Sequence, residues 1–187
     1  MIEKVLLVTP PPHDAEYIAK SKRSEKQNRQ QQGRQALPSG LMSIGAFLES
    51  KGYEVDIKDF WASDWQEIRN EITKLNPDAV FSSCLTDYRL SNFKLARIAK
   101  EINPEIVTVI GNVHATIMYE QILSNYPEID FIVRHEGEIT CLELIECLNK
   151  NGNLKDVKGL AFKVENKVWV TEKRPFIENL DILPFPT

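Results

Sequence analysis

Residues 79–110 read AVFSSCLTDYRLSNFKLARIAKEINPEIVTVI, and the two ends of this stretch obey a different rule from its middle. Ala79 to Ser83 (AVFSS) and Ile106 to Ile110 (IVTVI) are short, nearly continuous apolar runs, the pattern of strands buried on both faces of a parallel sheet. Between them Leu95, Ile98, Ala99 and Ile102 recur at helical spacing on one face. Pro104 ends that helix, because its ring removes a hydrogen-bond donor and clashes with the preceding turn. Strand, helix and strand in this order make a crossover unit, and such units are right-handed in nearly every case.

The alternation continues in both directions. Toward the N-terminus lie strand patterns at Lys4 to Thr9 (KVLLVT), closed by Pro10, Pro11 and Pro12, and at Glu54 to Lys58. Toward the C-terminus lies Asp130 to Val133 (DFIV). Ser39 is expected to cap a helix with Leu41, Ile44, Gly45 and Leu48 on one face and Gly52 as its stop. Further helices are expected at Asp64 to Leu75, at Ala115 to Asn125, and over a stretch with Cys141, Leu144, Ile145 and Leu148 on one face, ending near Asn151-Gly152. Five such alternations specify an α/β fold: a doubly wound, flavodoxin-like (Rossmann-type), five-stranded parallel sheet of order 2-1-3-4-5. Leu160 to Val164, a turn at Glu165-Asn166-Lys167, and Val168 to Thr171 add a C-terminal β-hairpin. The expected division is residues 1–152 as the α/β domain, with a long polar loop at 13–38, and residues 153–187 as hairpin and Pro-rich linker.

Composition narrows the function classes. The 187 residues are 42% hydrophobic and 27% charged, with a formal net charge of −4, which argues against a nucleic-acid partner. No apolar run approaches the ~20 residues of a membrane span, and Val5 to Val8 is too short for a signal peptide. Three cysteines without close pairing suit reduced thiols in a cytoplasmic setting. Cys141 and Cys147 fit no common metal-ligand spacing and are expected to be plain buried thiols.

In an open parallel sheet, ligands bind beyond the carboxyl ends of the strands. Four loops should meet there: Thr9-Pro10-Pro11-Pro12, Ser82-Ser83-Cys84-Leu85-Thr86, Gly111-Asn112-Val113-His114-Ala115-Thr116 and Arg134-His135-Glu136-Gly137-Glu138. Their small side chains allow close backbone approach, and helix N-termini there favour polar or anionic groups. No GxGxxG follows the first strand and no GxxxxGK[ST] exists. Thr9-Pro10 and Ser83-Cys84 stand where a receiver domain would carry acidic residues, and triple proline replaces a flavodoxin phosphate loop.

Several stretches together resemble the cobalamin-binding domains of radical S-adenosylmethionine enzymes. Leu37-Pro38-Ser39-Gly40-Leu41 through Gly52-Tyr53-Glu54-Val55 resembles that family's P-x-G-L…A-x-L-E-x-x-G-Y-E-V opening, and Gly111 to Thr116 its G-G-x-H-A-T loop. Asp130 to Glu138 is similar to D-x-V-V-R-G-E-G-E, and Leu180 to Pro186 to L-D-x-L-P-x-P. Three departures stand out: Asn112 and His135 replace family glycines, and the cluster-binding CxxxCxxC motif does not occur.

The resemblance implies cobalamin over the carboxyl edge, its nucleotide tail threaded beside the strands past Ser82, Ser83 and Gly111. The corrin would lie against the loops carrying Pro10, Leu85, Val113 and His114. Thr9, Pro10, Pro11, Ser82, Ser83, Cys84, Leu85, Thr86, Gly111, Asn112, Val113, His114, Ala115, Glu136, Gly137 and Glu138 are the expected cofactor-binding residues, with no catalytic residue. The Asp-x-His-x-x-Gly motif of other cobalamin carriers does not occur, so no firm metal ligand is expected; His114 is expected to contact the corrin or cap the next helix, with cobalt ligation or a purely structural role as the lesser alternatives. Cys84 is either near the corrin or a structural thiol, and Glu136 and Glu138 either bond the cofactor or favour a helix dipole. The implied whole is a B12-dependent radical enzyme, expected to be a methyltransferase with cyclisation or rearrangement as alternatives. Its S-adenosylmethionine and four-iron four-sulfur cluster would belong to a barrel absent from this chain, so the chain alone is not expected to turn over. The competing expectation is a flavodoxin-like ligand-binding or interaction module that has lost cobalamin binding.

Overall fold

In the computed structural model, which describes residues 1–11 and 38–186, period-two alternation decides the layers. Strand β1 (Lys4–Thr9) sends Val5 and Leu7 to one side of the sheet and Leu6 and Val8 to the other, all fully buried. Helices α1 (Ser39–Glu49) and α5 (Glu138–Asn149) cover the first face with Leu41, Leu48, Cys141, Leu144 and Ile145. Helices α2 (Trp65–Leu75), α3 (Arg89–Ile102) and α4 (Asn112–Asn125) cover the second, through Ile68, Ile72, Leu95, Ile98, Ile122 and Leu123.

The remaining strands are β2 (Glu54–Asp59), β3 (Ala79–Ser83), β4 (Val107–Gly111), β5 (Phe131–Val133), β6 (Leu160–Val164) and β7 (Lys167–Val170). The sheet runs β2-β1-β3-β4-β5-β6-β7, and its first five strands are parallel in the expected order. The expected hairpin is present and does more than follow the sheet. It pairs antiparallel with β5, Phe131 opposite Phe162 and Val133 opposite Leu160, and carries the sheet from five strands to seven. Glu165 and Asn166 have φ of 48° and 64°, the paired left-handed residues of a two-residue turn that matches strand twist.

Five local features differ from the sequence-based expectation. Pro38, not Ser39, stands at the N-cap of α1, and no side chain caps that helix. Helix α4 begins at Asn112, three residues before Ala115, so the Gly111–Thr116 stretch is a strand end followed by a first helical turn rather than a loop. The cause is Asn112 itself, whose φ of 79° lets the chain turn directly from β4 into the helix, a conformation asparagine tolerates. A 3-10 turn at Thr86–Tyr88 precedes α3. Cys147 is half-buried, unlike Cys84 and Cys141. Helix α2 starts one residue late because Asp64 caps it, accepting from the Gln66 and Glu67 amides at 2.8 and 2.9 Å. The polar stretch from His13 to Leu37 lies outside the described residues. No helix among the described residues is long and apolar enough to cross a membrane.

Candidate functional site

Strands β1, β3 and β4 end at one edge, and their pairing sets the height of each side chain. Phe81 lies opposite Val109, and Ser83 opposite Gly111, one pleat closer to the edge. Alternation puts these four on the α1/α5 face together with Thr9, two residues beyond Leu7. Val133 of β5 backs onto Gly111, where an added Cβ would stand 3.4 Å from the Val133 carbonyl oxygen.

Helix α1 faces this row with Leu41 and Ile44, and α5 with Glu138 and Cys141. Sheet and helices do not close at the edge, and a cleft of about 510 Å³ is left between them. That lies within the ~300–1,000 Å³ common for small-molecule sites. Trp61, after β2, and Tyr88, in the 3-10 turn, flank it with rings packed edge-to-face at 5.7 Å. At Gly137 a Cβ would meet the Ile44 Cδ1 at 2.7 Å, so a side chain there would crowd the α1 wall.

The cleft is graded in polarity. Its inner wall is buried carbon and sulfur from Leu41, Phe81, Val109, Val133 and Cys141. Toward the mouth stand exposed Ser39, Asn112 and His135 and half-buried Glu136 and Glu138. Most polar groups there are already tied. Asn112 Nδ2 donates to Ser83 Oγ at 2.8 Å, and Ser43 Oγ donates to Glu138 Oε1 at 2.8 Å. The Ile177 amide donates to Glu136 Oε2 at 2.7 Å and draws the C-terminal segment to the rim. The Thr9 hydroxyl is different: it is buried and has no hydrogen-bond partner among the described residues. An unmet buried hydroxyl costs about 1–3 kcal/mol, so a ligand group that reached it would gain a bond.

Of the expected site residues, Thr9, Ser82, Ser83, Leu85, Gly111, Asn112, Glu136, Gly137 and Glu138 line the cleft. Pro10 and Pro11 are buried beside it without lining it. Cys84 and Ala115 lie on the other side of the sheet, in the cluster of Phe93, Ile110 and Ile132, because Cys84 follows Ser83 and alternation turns it away. Burial pushes the Cys84 thiol up to about 12, against a smaller opposing effect of Arg89. Leu85 at the cleft and, on the first turns of α4, Val113 and Ile117 outside it are apolar side chains left 42%, 58% and 68% exposed. His114 Nδ1 lies 3.2 Å from Thr86 Oγ1. Burial, and then the Arg89 guanidinium, hold the His114 ring below the usual histidine range, so it is neutral at pH 7. His135 is lowered by burial, Lys173 and Arg134.

The α1 wall and the aromatic pair went unforeseen at the site. Leu41 and Ile44 read only as a core-facing stripe, and the Pro38-Ser39-Gly40-Leu41 match marked a resemblance without placing that helix at the edge. Phe81 and Val109 are two residues from Ser83 and Gly111, and period two alone places them below those positions. Nothing local marks Trp61 and Tyr88, which meet only through packing.

This architecture and this sequence recur in known proteins. Over its whole length the chain is 32% identical to an uncharacterised methyltransferase of Pyrococcus horikoshii, and covers 38% of that protein. Over 77% of its length it is 37% identical to the anaerobic magnesium-protoporphyrin IX monomethyl ester cyclase of Rubrivivax gelatinosus, and covers 27% of it. The chain thus spans little more than a third of these curated relatives at most. Among solved structures, the cobalamin-dependent S-adenosylmethionine radical enzyme OxsB, with aqua-cobalamin and S-adenosylmethionine bound, superposes with a TM-score of 0.72 at 19% identity, over 94% of this chain and 23% of that one. The radical S-adenosylmethionine methyltransferase TsrM from Kitasatospora setae, with cobalamin and a [4Fe-4S] cluster bound, gives 0.71 at 16%, over 96% of this chain and 30% of that one. At these identities the likeness carries the fold alone. The B12 binding domain model matches residues 33–145, more than half of the sequence, and the chain belongs to that family.

Proposed function

We propose that this domain holds cobalamin base-off, with the corrin over the carboxyl edge of the sheet and the nucleotide tail in the cleft between the sheet and helices α1 and α5. The observation that carries the reading is the grading of that cleft. Its inner wall suits an aromatic base, the unpartnered Thr9 hydroxyl suits the polar part of the tail, and the exposed side chains of Leu85, Val113 and Ile117 suit an apolar macrocycle face. A base lodged between sheet and helices is out of reach of a metal above the edge, hence base-off. The cobalt would supply the group-carrying chemistry, and the chain would bind, orient and shield it. Ser83, Gly111 and Gly137 would leave room for the tail, and Thr86 would orient the His114 ring toward the corrin.

Asn112 and His135, which replace family glycines, are compatible with this reading. Both have left-handed φ, 79° and 65°, so the backbone keeps a path that glycine would take freely. We further propose that the domain works as the front part of a longer radical S-adenosylmethionine methyltransferase, in a cytoplasmic setting and without a nucleic-acid partner. A visible-absorption titration with hydroxocobalamin and methylcobalamin, followed by gel filtration, tests the cofactor reading. Co-elution with a base-off spectrum is expected. Elution of all the cofactor free of protein would overturn it.

A further inference from the structure

We infer that the cleft selects its cobamide by the lower base, admitting benzimidazoles and disfavouring purines. The inference rests on the proposed function and concerns the part of the cleft farthest from the corrin. There the wall consists of Phe81 and Val109 from the sheet, Leu41 and Ile44 from α1, and Cys141 from α5. None of these side chains offers a strong hydrogen-bonding group, and four of the five are buried. The hydroxyls and amide of Thr9, Ser83 and Asn112 stand one pleat or more nearer the edge, where ribose and phosphate would pass.

A benzimidazole presents a hydrocarbon edge to such a wall. Adenine presents an exocyclic amine and ring nitrogens, and each would leave water without finding a partner. Trp61 and Tyr88 flank the cleft at the strand ends, away from this wall, and so do not discriminate between bases. An apolar pocket rejects a near-isostere with added polar groups by roughly 10- to 100-fold. That is the ratio of dissociation constants expected between adeninylcobamide and cobalamin.

The test measures the affinity of the 187-residue chain for cobalamin, adeninylcobamide and cobinamide by visible absorption. Ile44→Gln and Val109→Thr are measured alongside, with circular dichroism to confirm that each is folded. Ile44 is half-buried, so its replacement can bring a side-chain amide to the wall at small cost to the core. The wild type should bind cobalamin at least about 10-fold tighter than adeninylcobamide, and cobinamide more weakly than cobalamin. At least one folded variant should narrow the cobalamin preference several-fold. Equal affinity for the two complete cobamides, or a ratio unmoved in both variants, would overturn the inference. Cobinamide binding as tightly as cobalamin would overturn it while leaving the carrier reading intact. Binding of none of the three would remove the carrier reading and the inference with it.

Discussion

Gly159→Ala should destabilise the domain by about 2 kcal/mol, although it adds a single methyl group at a chain junction. Gly159 has φ of 78°, where an L side chain is strained by about 1–2 kcal/mol. Its Cβ would also stand 3.0 Å from Thr140 Oγ1, 3.4 Å from Arg174 Cβ and 3.5 Å from the Arg134 carbonyl. Thr140 is fully buried and cannot swing away freely. Its hydroxyl donates to the Lys158 carbonyl at 3.2 Å and accepts from Arg174 Nε at 2.8 Å, and Arg174 also pairs with Glu143. Disturbing one such bond costs about 1 kcal/mol. The stiffer unfolded chain of the variant returns about 0.4–1 kcal/mol. For a chain of this length the net loss corresponds to a fall in Tm of about 4–8 °C, read by circular dichroism. Gly40→Ala is the control, since a Cβ there meets nothing within 4 Å; it should leave Tm unchanged or raise it. The Gly159 amide donates to Glu172 O at 2.8 Å, so the variant should also speed cleavage after exposed Phe176 by chymotrypsin. A Tm within 1 °C of wild type, within ordinary scatter for a ~0.3 kcal/mol change, would refute the reasoning.

Asn112→Gly should be nearly neutral in urea unfolding, because relief at φ 79° offsets the lost bonds to Ser83 Oγ and the Val113 amide; Asn112→Ala, which loses the bonds and keeps the strain, should cost about 2 kcal/mol. His114 and His135 both have folded pKa values below the ordinary 6.5, so the unfolded state takes up protons first as pH falls. Stability should therefore drop as pH falls through 6.5 toward the folded values, and His114→Gln with His135→Gln should flatten that drop in denaturation between pH 7 and 5. With Cys84 and Cys141 buried and their thiols pushed up, iodoacetamide at about pH 8 should label Cys147 first in the native chain and the other two only on unfolding, as read by peptide mass spectrometry.

The legibility of the fold and of the site came from different features. Strands such as KVLLVT and AVFSS and the single-face spacing of Leu95, Ile98 and Ala99 are local patterns, and a parallel sheet with right-handed crossovers follows from them. The edge carrying the site followed too, since loops at the carboxyl ends of parallel strands must lie together. Cys84 shows where local reading stopped, with a place near the corrin and a structural thiol both open. It sits in the right loop, yet alternation from Ser83 carries it through the sheet into the opposite core. At Asn112 the difference is one of local structure: its left-handed turn leads straight into α4, where a loop was expected.

By itself, then, the sequence determined the order of elements, the direction of the strands, a turn within Glu165-Asn166-Lys167 and the edge at which the cleft opens. All of these depend on periodicity and backbone preference among neighbouring residues. Tertiary structure alone decided that the hairpin would extend the sheet beyond β5, that Trp61 would meet Tyr88, and that Glu136 would take the Ile177 amide. Those contacts join segments remote in sequence, and their partners are chosen by shape and burial once the layers have packed, which no local pattern encodes.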